Sequence, residues 1–224
     1  MGQFFEKVLF FPSLLATLVS DKMTNQNWYD RIDDCLVAGA LPFRSTVKEL
    51  IAKEGVRGVL SMNQNFELNR LWYPTPDELD SWGVSFLQLP VADYLAHPTW
   101  NQVEEGLDFI HHICSRNHSV YVHCKAGKFR SAVMAATYLM ERYNLTPDEA
   151  KDTLRSHRRQ VWLSAHWDTA RVLQDFFEKI HAKYRPEVVS TTRDPIILQK
   201  YFDMADTGSS NTTFANDTST DSVS

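Results

Sequence analysis

Residues 119–131 read SVYVHCKAGKFRS, a short apolar run that ends at a cysteine and is followed by cationic side chains. Cys124 and Arg130 are six residues apart, and Gly127 lies midway between them. A loop of this length between a strand and a helix can direct its backbone N–H groups and the helix N-terminus toward one anion. Gly127 permits the tight turn, and the same positive field stabilises a thiolate. The pattern predicts a phosphate-binding loop with a nucleophilic cysteine at its base.

The reaction that such a loop supports is phosphomonoester hydrolysis through a phosphocysteine intermediate. Cys124 would attack phosphorus, while Arg130 would hold two phosphate oxygens with its planar fork and the loop amides would stabilise the developing charge. Ser131 can donate to the sulfur and ease its departure in the second step. His123 is expected to orient the loop. The predicted substrate-binding residues are Lys125, Ala126, Gly127, Lys128, Phe129 and Ser131.

A buried cysteine beside surface cations is the alternative interpretation of this loop. Four fixed positions coincide by chance in roughly one chain in a thousand of this length, judged from average residue frequencies. The match also falls where a strand should pass into a helix, which favours the catalytic interpretation.

Transfer of phosphate to sulfur also needs a proton for the leaving oxygen, which a carboxylic acid facing the loop can supply. Asp93 follows a strand expected to end near Val91 and is the candidate for this general acid. An ordinary polar loop residue is the alternative at this position.

The elements that must position these residues alternate along the chain. Strands are predicted at 37–41, 56–63, 84–91 and 119–124. Helices are predicted at 46–54 with Ser45 as cap, at 75–82 beginning with Thr75 and Pro76, at 99–116, and from the loop to about Tyr184 with a restart at Thr146. Strands that alternate with helices indicate an α/β layered fold with a mixed or mostly parallel sheet.

Both ends of the chain differ from this core, so we expect a phosphatase domain at 27–185 between two flanking segments. Segment 1–26 contains the apolar run Val8–Val19, which at 12 residues is too short to span a bilayer. The run is either an extra helix packed on the domain or a segment for membrane association and targeting. Segment 186–224 is polar and acidic, and its composition predicts a disordered tail.

Composition excludes several classes of function. The net charge is -5, and the last 22 residues hold four Asp without Lys or Arg, so the remainder is close to neutral. No broad basic face argues for nucleic acid as a partner. The three cysteines are widely spaced, which predicts reduced thiols, with Cys35 and Cys114 as structural residues, and no zinc site. The proposed chemistry requires neither a metal nor an organic cofactor.

The segment HCKAGKFRS resembles the active-site loop of the cysteine-dependent phosphatases of protein-tyrosine and dual-specificity type. Lys125 and Lys128 are similar to the basic residues of members that act on acidic phospholipids. The resemblance extends to the mitochondrial protein-tyrosine-phosphatase-like family over about residues 1–182. It is carried by HCKAGKFRS together with NWYDRID, GALPFRS, VRGVLSMN, VYVHCKAG and RSAVMAATYL. The resemblance implies a compact dual-specificity-phosphatase fold, with a mostly parallel sheet flanked by helices and the phosphate loop between a central strand and a helix.

The resemblance also implies a function. That family dephosphorylates phosphatidylglycerophosphate to phosphatidylglycerol on the route to cardiolipin. The implied general acid occupies the place of Asp93. By the same resemblance, the N-terminus is expected to be a targeting and membrane-associating segment. The expected location is the mitochondrial inner membrane, and the expected partners are an anionic phospholipid and a membrane surface. Oligomeric state stays open. The alternatives are a dual-specificity protein phosphatase, a phosphoinositide phosphatase and a phospholipid-binding module without turnover.

Three features depart from the family or stay ambiguous. The family's Glu-rich stretch after MN keeps only Glu67. The family's Arg-Ser pair is replaced by Lys128 and Phe129, and Phe129 either contacts a lipid or packs on the fold. The basic cluster RSHRR at 155–159 either faces anionic lipid or forms a solvated helix face.

Overall fold

The structure is a computed structural model that describes Pro12 and residues 26–93, 96–163 and 168–184. The chain divides into two units, 1–186 and 187–224, and the second unit lies outside the described residues. Apart from Pro12 and Gln26, the predicted N-terminal segment 1–26 lies outside them as well, as does the predicted tail 186–224. Among the described residues, no helix has the length and apolar character needed to cross a membrane.

Five strands form one sheet in the order β1-β2-β5-β3-β4, with bounds β1 Tyr29–Arg31, β2 Leu36–Gly39, β3 Val56–Ser61, β4 Ser85–Gln88 and β5 Ser119–His123. β2, β5, β3 and β4 are parallel, and β1 adds an antiparallel edge. The predicted mostly parallel sheet is confirmed. β1 was not predicted, because three residues are too few to show an alternating pattern. β5 is central and buried along its whole length, as expected for a continuous apolar run in a parallel sheet.

The described residues form six α-helices and one short 3-10 helix at Asn65–Glu67. The α-helices are α1 Arg44–Glu54, α2 Pro76–Ser81, α3 Trp100–Cys114, α4 Arg130–Tyr143, α5 Pro147–His157 and α6 Thr169–Tyr184. α2 and α5 each begin with Thr-Pro, and each threonine forms a capping box with a glutamate three residues later. The predicted cap at Ser45 is wrong, since α1 begins at Arg44 after Phe43 and Ser45 lies in its first turn.

The helices cover both faces of the sheet. Val47 and Leu50 of α1 and Leu79 of α2 form a core cluster with Val59 and Tyr121. Neighbouring strand residues point to the opposite face, where α3 and α4 pack on the sheet and α5 and α6 pack on α4. Full burial of an aliphatic side chain contributes about 1.5–3 kcal/mol. With both faces covered, the loops at the carboxyl edge of the parallel strands remain as the place to build a site.

Cys35 and Cys114 form a disulfide with a Cα–Cα distance of 5.7 Å, which connects the residue before β2 to the end of α3. Cys124 is the free cysteine. The prediction of three reduced thiols is therefore wrong for this pair. The two residues are 79 positions apart, and their spacing in the sequence does not reveal that the fold brings their Cβ atoms together.

Candidate active site

The loop from Cys124 to Phe129 connects the carboxyl end of β5 to the N-terminus of α4, whose first residue is Arg130. No side chain caps this helix at Phe129. The first N–H groups of α4 therefore face the loop, and the one from Ser131 donates to the sulfur of Cys124, which makes this end of the helix suitable for an anion.

Gly127 sets the turn of the loop for two reasons. Its φ of 64° is left-handed, a conformation that glycine adopts without the steric cost of a side chain. A Cβ atom there would also collide with the backbone of Gly39 and Ala40 at the end of β2. The glycine therefore permits both the turn and the close approach of the loop to the neighbouring strand.

Five carbonyl groups in and beside the loop accept hydrogen bonds from donors outside it, four from other segments and one from the first turn of α4. Their donors are Met62 N for His123 (2.8 Å), Leu41 N for Lys125 (3.1 Å), Arg158 Nε for Gly127 (2.8 Å), Trp162 N for Lys128 (2.7 Å) and Val133 N for Phe129 (2.9 Å). In a trans peptide the N–H group points away from the carbonyl of the same unit. The N–H groups that follow these carbonyls are thus turned to the inner side of the loop.

Cys124 lies at the base of the loop and is 3% exposed. Burial raises the pKa of its thiol, but the positive charge of Arg130 and hydrogen bonds from Ser131 more than offset burial, so the net pKa is below the ordinary thiol value. Ser131 Oγ donates to Cys124 Sγ at 3.3 Å. The structure therefore favours a thiolate where the sequence places the nucleophile.

Arg130 is fixed from behind by a carboxylate. Its Nη1 and Nη2 donate to the two oxygens of Glu67 at 2.7 and 2.9 Å, and Nη1 also donates to the carbonyl of Val91 at 2.9 Å. Arg130 Nε is buried and has no acceptor within the described part of the chain, so this donor is available to a phosphate oxygen. The sequence marks Glu67 only as the last acid of a family stretch, and its contact 63 residues away requires the fold.

Asp93 also meets the loop. Its Oδ1 lies 3.1 Å from Nη2 of Arg130, and its Oδ2 pairs with the ammonium of Lys125. The structure therefore brings together the three residues predicted to be catalytic. A phosphate oxygen that enters the loop would compete with Asp93 for Arg130.

The remaining predicted substrate residues lie around the loop in different environments. Lys125 is buried against Asp93, whereas Ala126 and Lys128 are half-buried. The ammonium of Lys128 lies 5.5 Å from the ring centre of the exposed Trp162. Phe129 packs edge-on against His97, with ring centres 5.2 Å apart, so it contacts the fold. Direct contact of these residues with substrate stays a prediction.

His123 is fully buried beneath the loop. Its Nε2 and the hydroxyl of Tyr73 are hydrogen-bonded at 3.1 Å. Burial lowers the pKa of His123 to about 3, so the ring is neutral at physiological pH. This environment agrees with a residue that positions the loop.

One member of the basic cluster at 155–159, Arg158, departs from both interpretations, whereas His157 and Arg159 are exposed. The Arg158 side chain is fully buried; it donates to the carbonyl of Gly127 and forms an ion pair with Asp30 at 2.6 Å. This member of the cluster therefore faces neither lipid nor solvent. The sequence of a basic cluster does not show which of its side chains is buried.

Together these groups can supply a nucleophile, an anion site and a proton donor. The described part of the chain holds no group of three or more His, Cys, Asp or Glu side chains arranged for a metal ion. The chemistry assembled from the side chains and backbone alone is transfer of a phosphoryl group to sulfur.

Comparisons with known proteins give the same chemistry. The family described as "Dual specificity phosphatase, catalytic domain" matches residues 47–176. The chain is 36% identical over 180 residues to phosphatidylglycerophosphatase and protein-tyrosine phosphatase 1 of Rattus norvegicus, which covers 79% of this chain and 92% of the relative. It is also 36% identical over 172 residues to phosphatidylglycerophosphate phosphatase PTPMT2 of Arabidopsis thaliana, covering 76% of this chain and 72% of that relative. The crystal structure of PTPMT1 in complex with PI(5)P matches with a TM-score of 0.67 and 34% identity, covering 70% of this chain and 99% of that one.

Proposed function

Since this chain belongs to the dual-specificity phosphatase family and is a cysteine-dependent phosphatase, we propose that it hydrolyses phosphatidylglycerophosphate to phosphatidylglycerol. The observation that carries the proposal is the 36% identity across 92% of a relative named phosphatidylglycerophosphatase. We further propose that this product supplies the route to cardiolipin.

In the first step the thiolate of Cys124 attacks phosphorus, so an S–P bond forms and the bond to the glycerol oxygen breaks. Arg130 Nε and the inward N–H groups of the loop hold the phosphoryl oxygens. Protonated Asp93 gives its proton to the departing oxygen. An alkoxide is a poor leaving group, so a glycerol phosphate depends strongly on this proton.

In the second step a water molecule attacks the phosphocysteine while Asp93 takes a proton from it. The S–P bond breaks and inorganic phosphate forms. Ser131 Oγ, which is 3.3 Å from the sulfur, stabilises the thiolate that leaves. The proton that Asp93 gave in the first step is replaced by the one taken from water, and Cys124 is again a thiolate.

The rim of the loop supports a lipid surface as partner. In the part of the chain that the structure describes, the large exposed apolar side chains are Leu71 and Trp162. Of these two, Trp162 adjoins the phosphate loop, because its N–H group donates to the carbonyl of Lys128. Exposed tryptophan beside lysine is a pair favoured at the membrane–water interface. We propose that this rim meets an anionic membrane, and that the enzyme works at the mitochondrial inner membrane.

A substrate panel tests the proposed reaction. Purified full-length enzyme would receive phosphatidylglycerophosphate, phosphoinositides and tyrosine-phosphorylated peptides, each with and without detergent, and phosphate release would be measured. We expect kcat/KM to be highest for phosphatidylglycerophosphate. A clear preference for phosphopeptides would contradict the proposal. Phosphoinositides are the second candidate, because the related PTPMT1 has been crystallised with PI(5)P.

Sedimentation with vesicles tests the membrane partner separately. The protein should sediment with phosphatidylglycerol vesicles and stay in solution with phosphatidylcholine vesicles. Trp162→Ser should weaken sedimentation. Equal sedimentation of the wild type and Trp162→Ser would show that Trp162 does not contribute to membrane binding. Cell fractionation would test the mitochondrial location.

A further inference from the structure

The segment from Arg158 to Trp162 contacts the phosphate loop from its outer side. Arg158 begins this segment where α5 has ended, and its side chain is 0% exposed. Its Nε donates to the carbonyl of Gly127 at 2.8 Å. An arginine buried this deeply is uncommon without a fixed set of acceptors, so its partners indicate what it does.

A second hydrogen bond comes from the same segment. The N–H group of Trp162 donates to the carbonyl of Lys128 at 2.7 Å. Two consecutive carbonyls of the loop are thus held outward by donors four residues apart. Because the peptide units are planar and trans, the N–H groups of Lys128 and Phe129 are directed to the inner side.

Arg158 is itself held in place from the opposite side. Its Nη1 pairs with Oδ2 of Asp30 at 2.6 Å and donates to the carbonyl of Asn27 at 3.2 Å. Asp30 belongs to β1, the edge strand, and its side chain is only 10% exposed. The guanidinium therefore connects the edge of the sheet to the turn of the loop, and its planar shape suits two acceptors in different directions.

We propose that Arg158 is a positioning residue for phosphoryl transfer, because it holds the peptide between Gly127 and Lys128 in the orientation that receives an anion. Glycine at the turn makes this peptide easy to rotate. A donor on the outer side fixes one orientation before the anion arrives, so binding does not have to order the loop. Arg158 acts on phosphoryl transfer itself, so the role holds whichever phosphomonoester is the substrate.

The test compares Arg158→Met and Arg158→Lys with Arg159→Met in the full-length protein. Arg159 is the adjacent member of the same basic cluster and is exposed, so it is the matched control. A soluble aryl phosphate gives kcat and KM, and orthovanadate gives the affinity of the loop for an anion. We expect Arg158→Met to bind vanadate at least tenfold more weakly and to lower kcat, with partial recovery in Arg158→Lys. Arg159→Met should match the wild type.

Alkylation of Cys124 by iodoacetamide at different pH values separates positioning from a purely structural role. Arg130 and Asp93, whose charges act on the thiol pKa, are unchanged in every variant, as is Lys125, which pairs with Asp93. Loss of correctly turned N–H groups should raise the thiol pKa in Arg158→Met, so its alkylation curve should shift to higher pH.

Urea unfolding identifies which variants are folded. A folded Arg158→Met with wild-type vanadate affinity and an unshifted alkylation curve would overturn the proposal, even if its stability had fallen. If Arg158→Met does not fold, the same two measurements, vanadate affinity and the pH dependence of alkylation, are made on Arg158→Lys. Its ammonium retains a charge for Asp30 but lacks the planar fork that reaches Gly127 as well, so wild-type values in this variant would also overturn the proposal.

Discussion

Glu67 holds Arg130 through two hydrogen bonds of 2.7 and 2.9 Å, and neither side chain is more than 1% exposed. Both oxygens of the carboxylate and both terminal nitrogens of the guanidinium are used. The arginine is thereby oriented with Nε left for another acceptor. A buried pair of this kind depends on both members, because removal of one leaves an uncompensated charge in the interior.

Glu67→Gln should therefore damage both stability and catalysis. The loss of one buried charge should lower the free energy of unfolding by about 3 kcal/mol. A guanidinium that is no longer held should lower kcat by about 100-fold, as expected when one group that stabilises the transition state is misplaced. Urea unfolding and turnover of a soluble aryl phosphate measure the two effects.

Glu78→Gln is the matched control for this experiment. Glu78 accepts two hydrogen bonds from Arg44, at 3.0 and 2.8 Å, as Glu67 does from Arg130. Glu67 and Glu78 also occupy the same position, N3, in their capping boxes. The pair with Arg44 is on the surface and far more exposed, so water screens it and little should change. Equal losses in the two variants would contradict a special role for Glu67.

The reactivity of Cys124 should report its lowered pKa. A thiol reacts with iodoacetamide as the thiolate, whose fraction rises as pH passes through the pKa. Since the pKa is below the ordinary value, alkylation should reach its plateau at a lower pH than alkylation of a cysteine peptide. Ser131→Ala removes a hydrogen bond to the sulfur and should shift the curve upward. Identical curves for enzyme and peptide would contradict this environment.

Ser131→Ala should also slow the second chemical step. A hydrogen bond to a charged group contributes about 1.5 kcal/mol or more, or about tenfold in rate. Rapid-mixing measurements with an aryl phosphate should therefore show a burst of phenol followed by slow turnover. Cys124→Ser is the control and should show neither burst nor turnover. Retained turnover in that variant would refute the nucleophile.

Asp93→Asn should distinguish substrates by their leaving groups. Loss of a general acid should lower kcat by about 100-fold or more for an alkyl phosphate. An aryl phosphate with an acidic phenol needs less protonation, so its loss should be smaller. Vanadate affinity should not weaken, because the asparagine no longer competes for Arg130 as an anion. Equal losses for both substrates would argue against the acid role.

Reduction of the disulfide between Cys35 and Cys114 should destabilise the protein. A crosslink that closes a loop of this size is expected to contribute about 4.5 kcal/mol at most through the entropy of the unfolded chain. Thermal unfolding with and without reductant measures the difference. Cys124→Ser should keep this dependence, whereas Cys35→Ala should abolish it. Three titratable thiols in the folded, unreduced protein would contradict the disulfide and support the prediction of three reduced cysteines.

The sequence was sufficient to predict those features that are formed by residues adjacent in the chain. The phosphate loop, its glycine and the Thr-Pro helix starts follow from neighbouring residues, and the structure gives them the expected backbone. Glu67 and Arg158 were not predicted as parts of the site. Their partners lie 63 and 31 residues away, and the pairing of two distant side chains depends on how the strands are ordered. The disulfide was missed for the same reason.

The Gly39–Gly127 contact and the Arg158–Asp30 pair have a consequence for how the enzyme is made. Asp30 and Arg158 are 128 residues apart, so a ribosome must complete nearly the whole domain before the anion site can close. Contacts between residues this distant in the sequence carry a large loop-closure cost, so we expect them to form when the domain folds cooperatively. Catalytic activity should therefore appear and disappear with the cooperative folding transition, and shorter translation products or proteolytic fragments should carry none of it.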